Sequence, residues 1–98
     1  MARKPEHGLA DLGQLLGEIR NWPRISEPRP GSFYLGQQPF CHFRIRNGRR
    51  WADIRSRRAW LPRFDLPRDD AQSRLALRIV LHQVYRIVGQ AAGSRREG

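Results

Sequence analysis

At 98 residues with a formal charge of +10, the chain is one small domain with a thin core, burying only about 60–65% of the surface its unfolded form exposes. One cysteine excludes an internal disulfide framework, and no apolar run reaches the about 18 residues of a membrane-spanning helix. No hydrophobic signal segment follows Met1-Ala2-Arg3-Lys4, so a soluble cytoplasmic protein with no membrane partner is expected.

Residues 1–7 are polar and charged, and the stretch 89–98 has no apolar periodicity. Both are expected to be flexible basic termini around a single domain spanning 8–90. Leu9, Leu12, Leu15, Leu16 and Ile19 recur at intervals of three and four, which predicts an amphipathic helix that ends before Trp22-Pro23. Pro28, Pro30 and Gly31 then mark an irregular connection, with a short edge strand near Ile25. Strand character starts at Phe33-Tyr34-Leu35, and Gly36-Gln37-Gln38-Pro39 turns the chain into the next run.

That run holds the clearest local signal. Asn47-Gly48 separates two alternating stretches, Phe40 to Arg46 and Arg49 to Arg55, as a two-residue type I′ hairpin requires. Counting outward pairs Arg46 with Arg49, Arg44 with Trp51, His42 with Asp53, and Phe40 with Arg55. Side chains alternate with period two, so Cys41, Phe43, Ile45, Ala52 and Ile54 point to the core and the His42 set to the other face. Phe33, Leu35, Phe40 and Trp51 are placed provisionally on that other face, which leaves a homodimer contact there open.

The segment from Ser56 to Leu66 has no clean period and reads either as an extension of the last strand or as a loop across the sheet. Asp69 followed by Gln72 resembles a capping box. Leu77, Val80, Leu81, Val84, Ile87 and Val88 then form a helical stripe, with Leu75 and Ile79 nearly opposite it. The expected fold is therefore α+β: a two-layer domain with an antiparallel meander of three or four strands, flanked in sequence by an N-terminal and a C-terminal helix.

His42 and Asp53 are the candidate catalytic pair, because a carboxylate opposite an imidazole can fix its tautomer and raise its pKa. The same pair can equally be an ordinary cross-strand contact. Arg44 and Arg55 share the face and suit bidentate capture of a carboxylate or phosphate, which makes His42, Arg44, Asp53 and Arg55 a candidate anion site. Arg44 opposite Trp51 also fits a cation–π pair. Cys41 lies on the opposite face from its neighbour His42 and reads as a small buried residue. His7, His42 and His82 are isolated and Cys41 is the only cysteine, so no metal site is expected; no cofactor motif is present either.

The charge comes from 18 arginines and one lysine against nine acids. Eight of the arginines fall between Arg44 and Arg63, where only Asp53 offsets them. Arg46, Arg49, Arg50, Arg57, Arg58 and Arg63 thus form a candidate nucleic-acid surface, with Trp22, Trp51 and Trp60 as candidate stacking platforms. Such a preference for arginine over lysine is also what a GC-rich coding sequence produces.

Four stretches carry a family resemblance: Ile19-Arg20-Asn21-Trp22-Pro23, Gly31 to Gly36, Pro39 to Arg44, and Trp51-Ala52-Asp53-Ile54-Arg55. In this order they resemble the small bacterial luciferase-domain proteins over about residues 10–88, and Tyr85 also fits. Members often have a second histidine at the position of Arg44. The resemblance implies a compact α+β domain in which His42 and Asp53 are characteristic positions.

Overall fold

The computed structural model describes residues 7–97. The first helix begins as a 3₁₀ segment, His7–Leu12, and continues as α1, Gly13–Arg20. Its apolar stripe does what the spacing predicts: Leu12, Leu16 and Ile19 are fully buried. The N–H groups of Asn21 and Trp22 return to the carbonyls of Glu18 and Ile19 at 3.1 and 3.0 Å, and the chain turns away before Pro23.

Six antiparallel strands follow: β1 (Ile25–Arg29), β2 (Ser32–Leu35), β3 (Gln38–Arg46), β4 (Arg49–Ser56), β5 (Ala59–Trp60) and β6 (Phe64–Asp65). The sheet is wider than the three or four strands expected from sequence. The extra strands come from the segment 56–66, which folds back along the outer edge of β4. Arg55 pairs with Trp60 near one end of β4, and Ala52 pairs with Phe64 near the other. These two registers differ by one residue, so the chain between Trp60 and Phe64 holds one residue more than a regular strand, and Pro62 interrupts the ladder there.

α2 spans Ala71–Glu97, so the helix runs on past Gly89. Residues 1–6 of the expected N-terminal tail, and residue 98, lie outside the described residues. The cap of α2 is one residue later than the sequence pattern suggests. Asp70 accepts the Ser73 hydroxyl at 2.7 Å and its carbonyl accepts the Arg74 N–H at 3.1 Å, whereas Asp69 adopts a left-handed φ of 55°.

Both helices cover one sheet face. Leu77, Leu81 and Val84 of α2 and the stripe of α1 meet Phe33, Phe40, Cys41, Ala52 and Ile54 in one apolar cluster. Each fully buried Leu, Ile or Phe contributes on the order of 1.5–3 kcal/mol of transfer free energy. Val80 and Ile87 lie towards the rim of the stripe, and Leu75, Ile79 and Ile87 are exposed. No helix among the described residues is long and apolar enough to cross a membrane.

One arginine ties the layers together. Arg50 lies on the core side of β4 with its side chain only 2% exposed, and all five of its N–H donors are used. Nε donates to Leu66 O, Nη1 to Gly8 O and Asp11 Oδ1, and Nη2 to Asp11 Oδ2 and Pro67 O, at 2.6–3.1 Å. Asp11 also accepts the Asp69 N–H at 2.9 Å. The Arg50 guanidinium, acting against the cost of Asp11's own burial, holds that carboxyl well below the usual carboxylate range. Arg50 therefore does not belong to the candidate nucleic-acid surface, because alternation along β4 turns it inward, away from Arg49.

Candidate functional site

The β3–β4 hairpin has the register that Asn47-Gly48 implies. Asn47 and Gly48 take φ values of 51° and 78°, as a type I′ turn demands, and Arg46, Arg44 and His42 pair with Arg49, Trp51 and Asp53. Beyond His42 the pattern changes. Phe33 pairs with Cys41 but Tyr34 pairs with Pro39, so Phe40 is an extra residue in β3. This bulge turns Phe40 into the core beside Cys41, and both are fully buried.

Several expectations change with it. Phe40 does not stand opposite Arg55, and Phe33 and Leu35 also belong to the core and not to the His42 face. Ser32 and Tyr34 occupy that face instead. Of the four apolar residues considered for a dimer contact there, only Trp51 remains, and it is 8% exposed.

His42 and Asp53 are cross-strand neighbours, yet each has another hydrogen-bond partner. Asp53 Oδ2 accepts from Arg44 Nε at 2.9 Å, while His42 Nδ1 lies 3.2 Å from the Ser32 hydroxyl. Burial pushes the His42 pKa below its usual value, Arg44 lowers it further, and Asp53 only partly offsets them. The upward pull of the carboxylate is thus outweighed, by burial first and by Arg44 second, so the imidazole does not gain the basicity that the pairing suggested. A His/Asp general base lacks its orienting hydrogen bond in this arrangement.

The imidazole also sits between two rings. Tyr34 lies on one side at a centroid distance of 5.9 Å and Trp60 on the other at 5.7 Å, both steeply inclined to it. Arg55 donates from Nε to Arg57 O at 3.1 Å and places its guanidinium 5.8 Å from the Trp60 ring centre. The cation over Trp51 is Arg63, at 4.0 Å, and not Arg44. The Trp51 indole N–H is buried without a partner among the described residues.

Of the candidate nucleic-acid arginines, Arg46 and Arg49 close the β3–β4 turn on the His42 side, Arg57 and Arg58 form the β4–β5 turn, and Arg63 covers Trp51. With Arg50 removed, the two candidate sets merge into one surface. Its carboxylates are Asp53, paired with Arg44, and Asp65, opposite Trp51 at the sheet edge. Of the three tryptophans, Trp60 alone is open. Trp51 is buried, and Trp22 packs against Phe40, His82 and Tyr85.

Sequence reasoning did not single out Ser32 or Tyr34 as site residues, since their places depend on the bulge at Phe40. Only the neighbouring Pro39, which cannot donate to a ladder, signalled irregularity there. Cys41 lies on the core face as expected, its thiol pKa raised by burial first and by the Asp53 charge second. Among the described residues no group of three or more His, Cys, Asp or Glu side chains is placed to hold a metal ion. No protein-family model, curated protein or solved structure matches the chain.

Proposed function

We propose that the protein is a binding module for an anionic ligand, taken on the open sheet face around His42, Arg44, Asp53 and Arg55. The observation that carries this reading is the convergence of the exposed arginines, from both hairpin turns and from the strands between them, on the face the helices leave uncovered. Arg44 is more than half exposed, and its Nη groups form no hydrogen bond among the described residues. Arg46, Arg49 and Arg58 form no ion pair among them either. These guanidiniums present donors in a fork that matches phosphate or carboxylate. The resemblance to luciferase-domain proteins fits this reading, because it makes His42 and Asp53 characteristic positions of the face.

Tripolyphosphate titrated into the protein tests this, followed by NMR of the arginine Nε–H and His42 ring resonances. The expected result is saturable movement at Arg44, Arg55 and His42. Arg44→Gln is expected to weaken binding about tenfold or more, the usual loss for a hydrogen bond to a charged group. Saturable movement elsewhere, or none at these residues, overturns the assignment.

A further inference from the structure

Anion binding alone makes no use of the aromatic row on the same face. Tyr34 on β2, His42 on β3 and Trp60 on β5 lie side by side, with ring centres 5.9 and 5.7 Å apart. Trp60 is 46% exposed, on a two-residue strand at the end of the sheet order. A large aromatic in that position loses the burial that normally holds it in a small core. Arg55 lies over it, and Arg44 and Arg49 stand further along the face.

Trp60 is exposed and Tyr34 and His42 are half-buried; accessible rings attract flat π systems, and guanidiniums attract phosphates. A nucleic-acid strand offers both at regular intervals, and only unpaired bases expose their flat sides. A sulfated glycan would satisfy the arginines but has no planar group for the rings. We infer that the face binds single-stranded nucleic acid, with bases stacked on Tyr34, His42 and Trp60 and phosphates held by Arg44, Arg49 and Arg55. This inference rests on the anion-binding reading and narrows it to one polymer.

The geometry sets the form of the bound strand. Ring centres nearly 6 Å apart exceed the ~3.4 Å rise of a stacked strand. The rings are inclined to one another by 65° and 64°, so one continuous stack cannot run across them. The strand therefore lies extended, with one base to each ring. Stacking of this kind tolerates any base, so sequence preference is weak.

The test uses the whole chain and octathymidylate, with tripolyphosphate and a heparin octasaccharide as polyanions that lack bases. Octathymidylate is expected to quench tryptophan emission. With three phosphate contacts its affinity falls about 20-fold between about 50 and 200 mM salt. Trp60→Ala, at an exposed edge, is expected to abolish the quench and weaken octathymidylate by about 5- to 150-fold. Tripolyphosphate, which has no base to stack and meets Trp60 only through Arg55, loses far less affinity in that variant. Tyr34→Ala gives an independent reading in the same direction, and Arg49→Gln lowers the salt slope by about 0.7. If tripolyphosphate or heparin binds while octathymidylate does not, or if Trp60→Ala binds octathymidylate like the wild type, the stacking inference fails and the anion reading stands. If none of the three binds, both fail.

Discussion

Arg49 and Arg50 are adjacent on β4 and differ in everything that matters physically. Arg50 points into the helix-covered layer, where Asp11 and three backbone carbonyls take all five of its donors. Arg49 points to the open face, where it is exposed and forms no ion pair among the described residues. A buried guanidinium is tolerated only when its desolvation is offset completely, and an exposed one keeps its hydration until a ligand arrives. Arginine therefore serves as a structural tie on one side of this sheet and, in the proposed function, as binding capacity on the other. A one-residue offset decides which.

The contrast is broken most severely by Arg50→Ala. Removing Arg50 leaves Asp11 with only the longer ion pair to Arg74 at 3.8 Å and strips three backbone carbonyls of their donor, and about 3–5 kcal/mol of stability is expected to be lost in urea unfolding. Arg49→Ala, the control one position away, is expected to stay within about 0.5 kcal/mol of the wild type.

Acid probes the same tie from the carboxylate side. Because the Asp11 pKa is held below its ordinary 3.8, its contribution to stability is present above that value and is lost as pH falls through the folded-state value. Urea midpoints measured from pH 5 downward are expected to fall in wild type. In Asp11→Asn the protein starts less stable, and the part of the slope due to Asp11 is absent.

Gly48→Ala sharpens the comparison at the register itself. At a φ of +78° a Cβ is strained, and about 1 kcal/mol is expected to be lost. Because the turn sets which of Arg49 and Arg50 faces inward, a variant that slipped register instead would lose the Arg50 tie as well and show the larger deficit.

The smallest expected effect is at His42. Its NMR titration midpoint should lie below the ordinary 6.5, since burial first and Arg44 second disfavour the imidazolium, against the pull of Asp53. Tyr34 and Trp60 flank the ring and Ser32 is its hydrogen-bond partner. Arg44→Gln should move the midpoint up. The matching stability is full above 6.5 and declines as pH falls through the lowered folded-state value.

What could be read in the sequence followed from local rules. Asn47-Gly48 with alternation on both sides fixed the partners from Arg46/Arg49 to His42/Asp53, and the leucine spacing located the buried stripe of α1. What could not be read depended on distant contacts. Nothing near Arg50 announces Asp11, 39 residues earlier in the chain, so its inward position could be counted while its ion pair could not. The bulge at Phe40 is decided by a large ring finding room in the core, which reassigns Phe33, Leu35, Ser32 and Tyr34 together. Tandem aspartates at 69 and 70 offer two caps of the same chemistry; the first takes a left-handed φ and gives its N–H to Asp11, and the second accepts the Ser73 hydroxyl.

The burial of Cys41 has a practical consequence. With its sulfur sealed beneath both helices and its ionisation suppressed, a thiol reagent can reach it only when the sheet and helices separate. The chain thus carries its own chemical clock for global opening: the rate of labelling at this single position reports how often the whole domain comes apart, with no added probe.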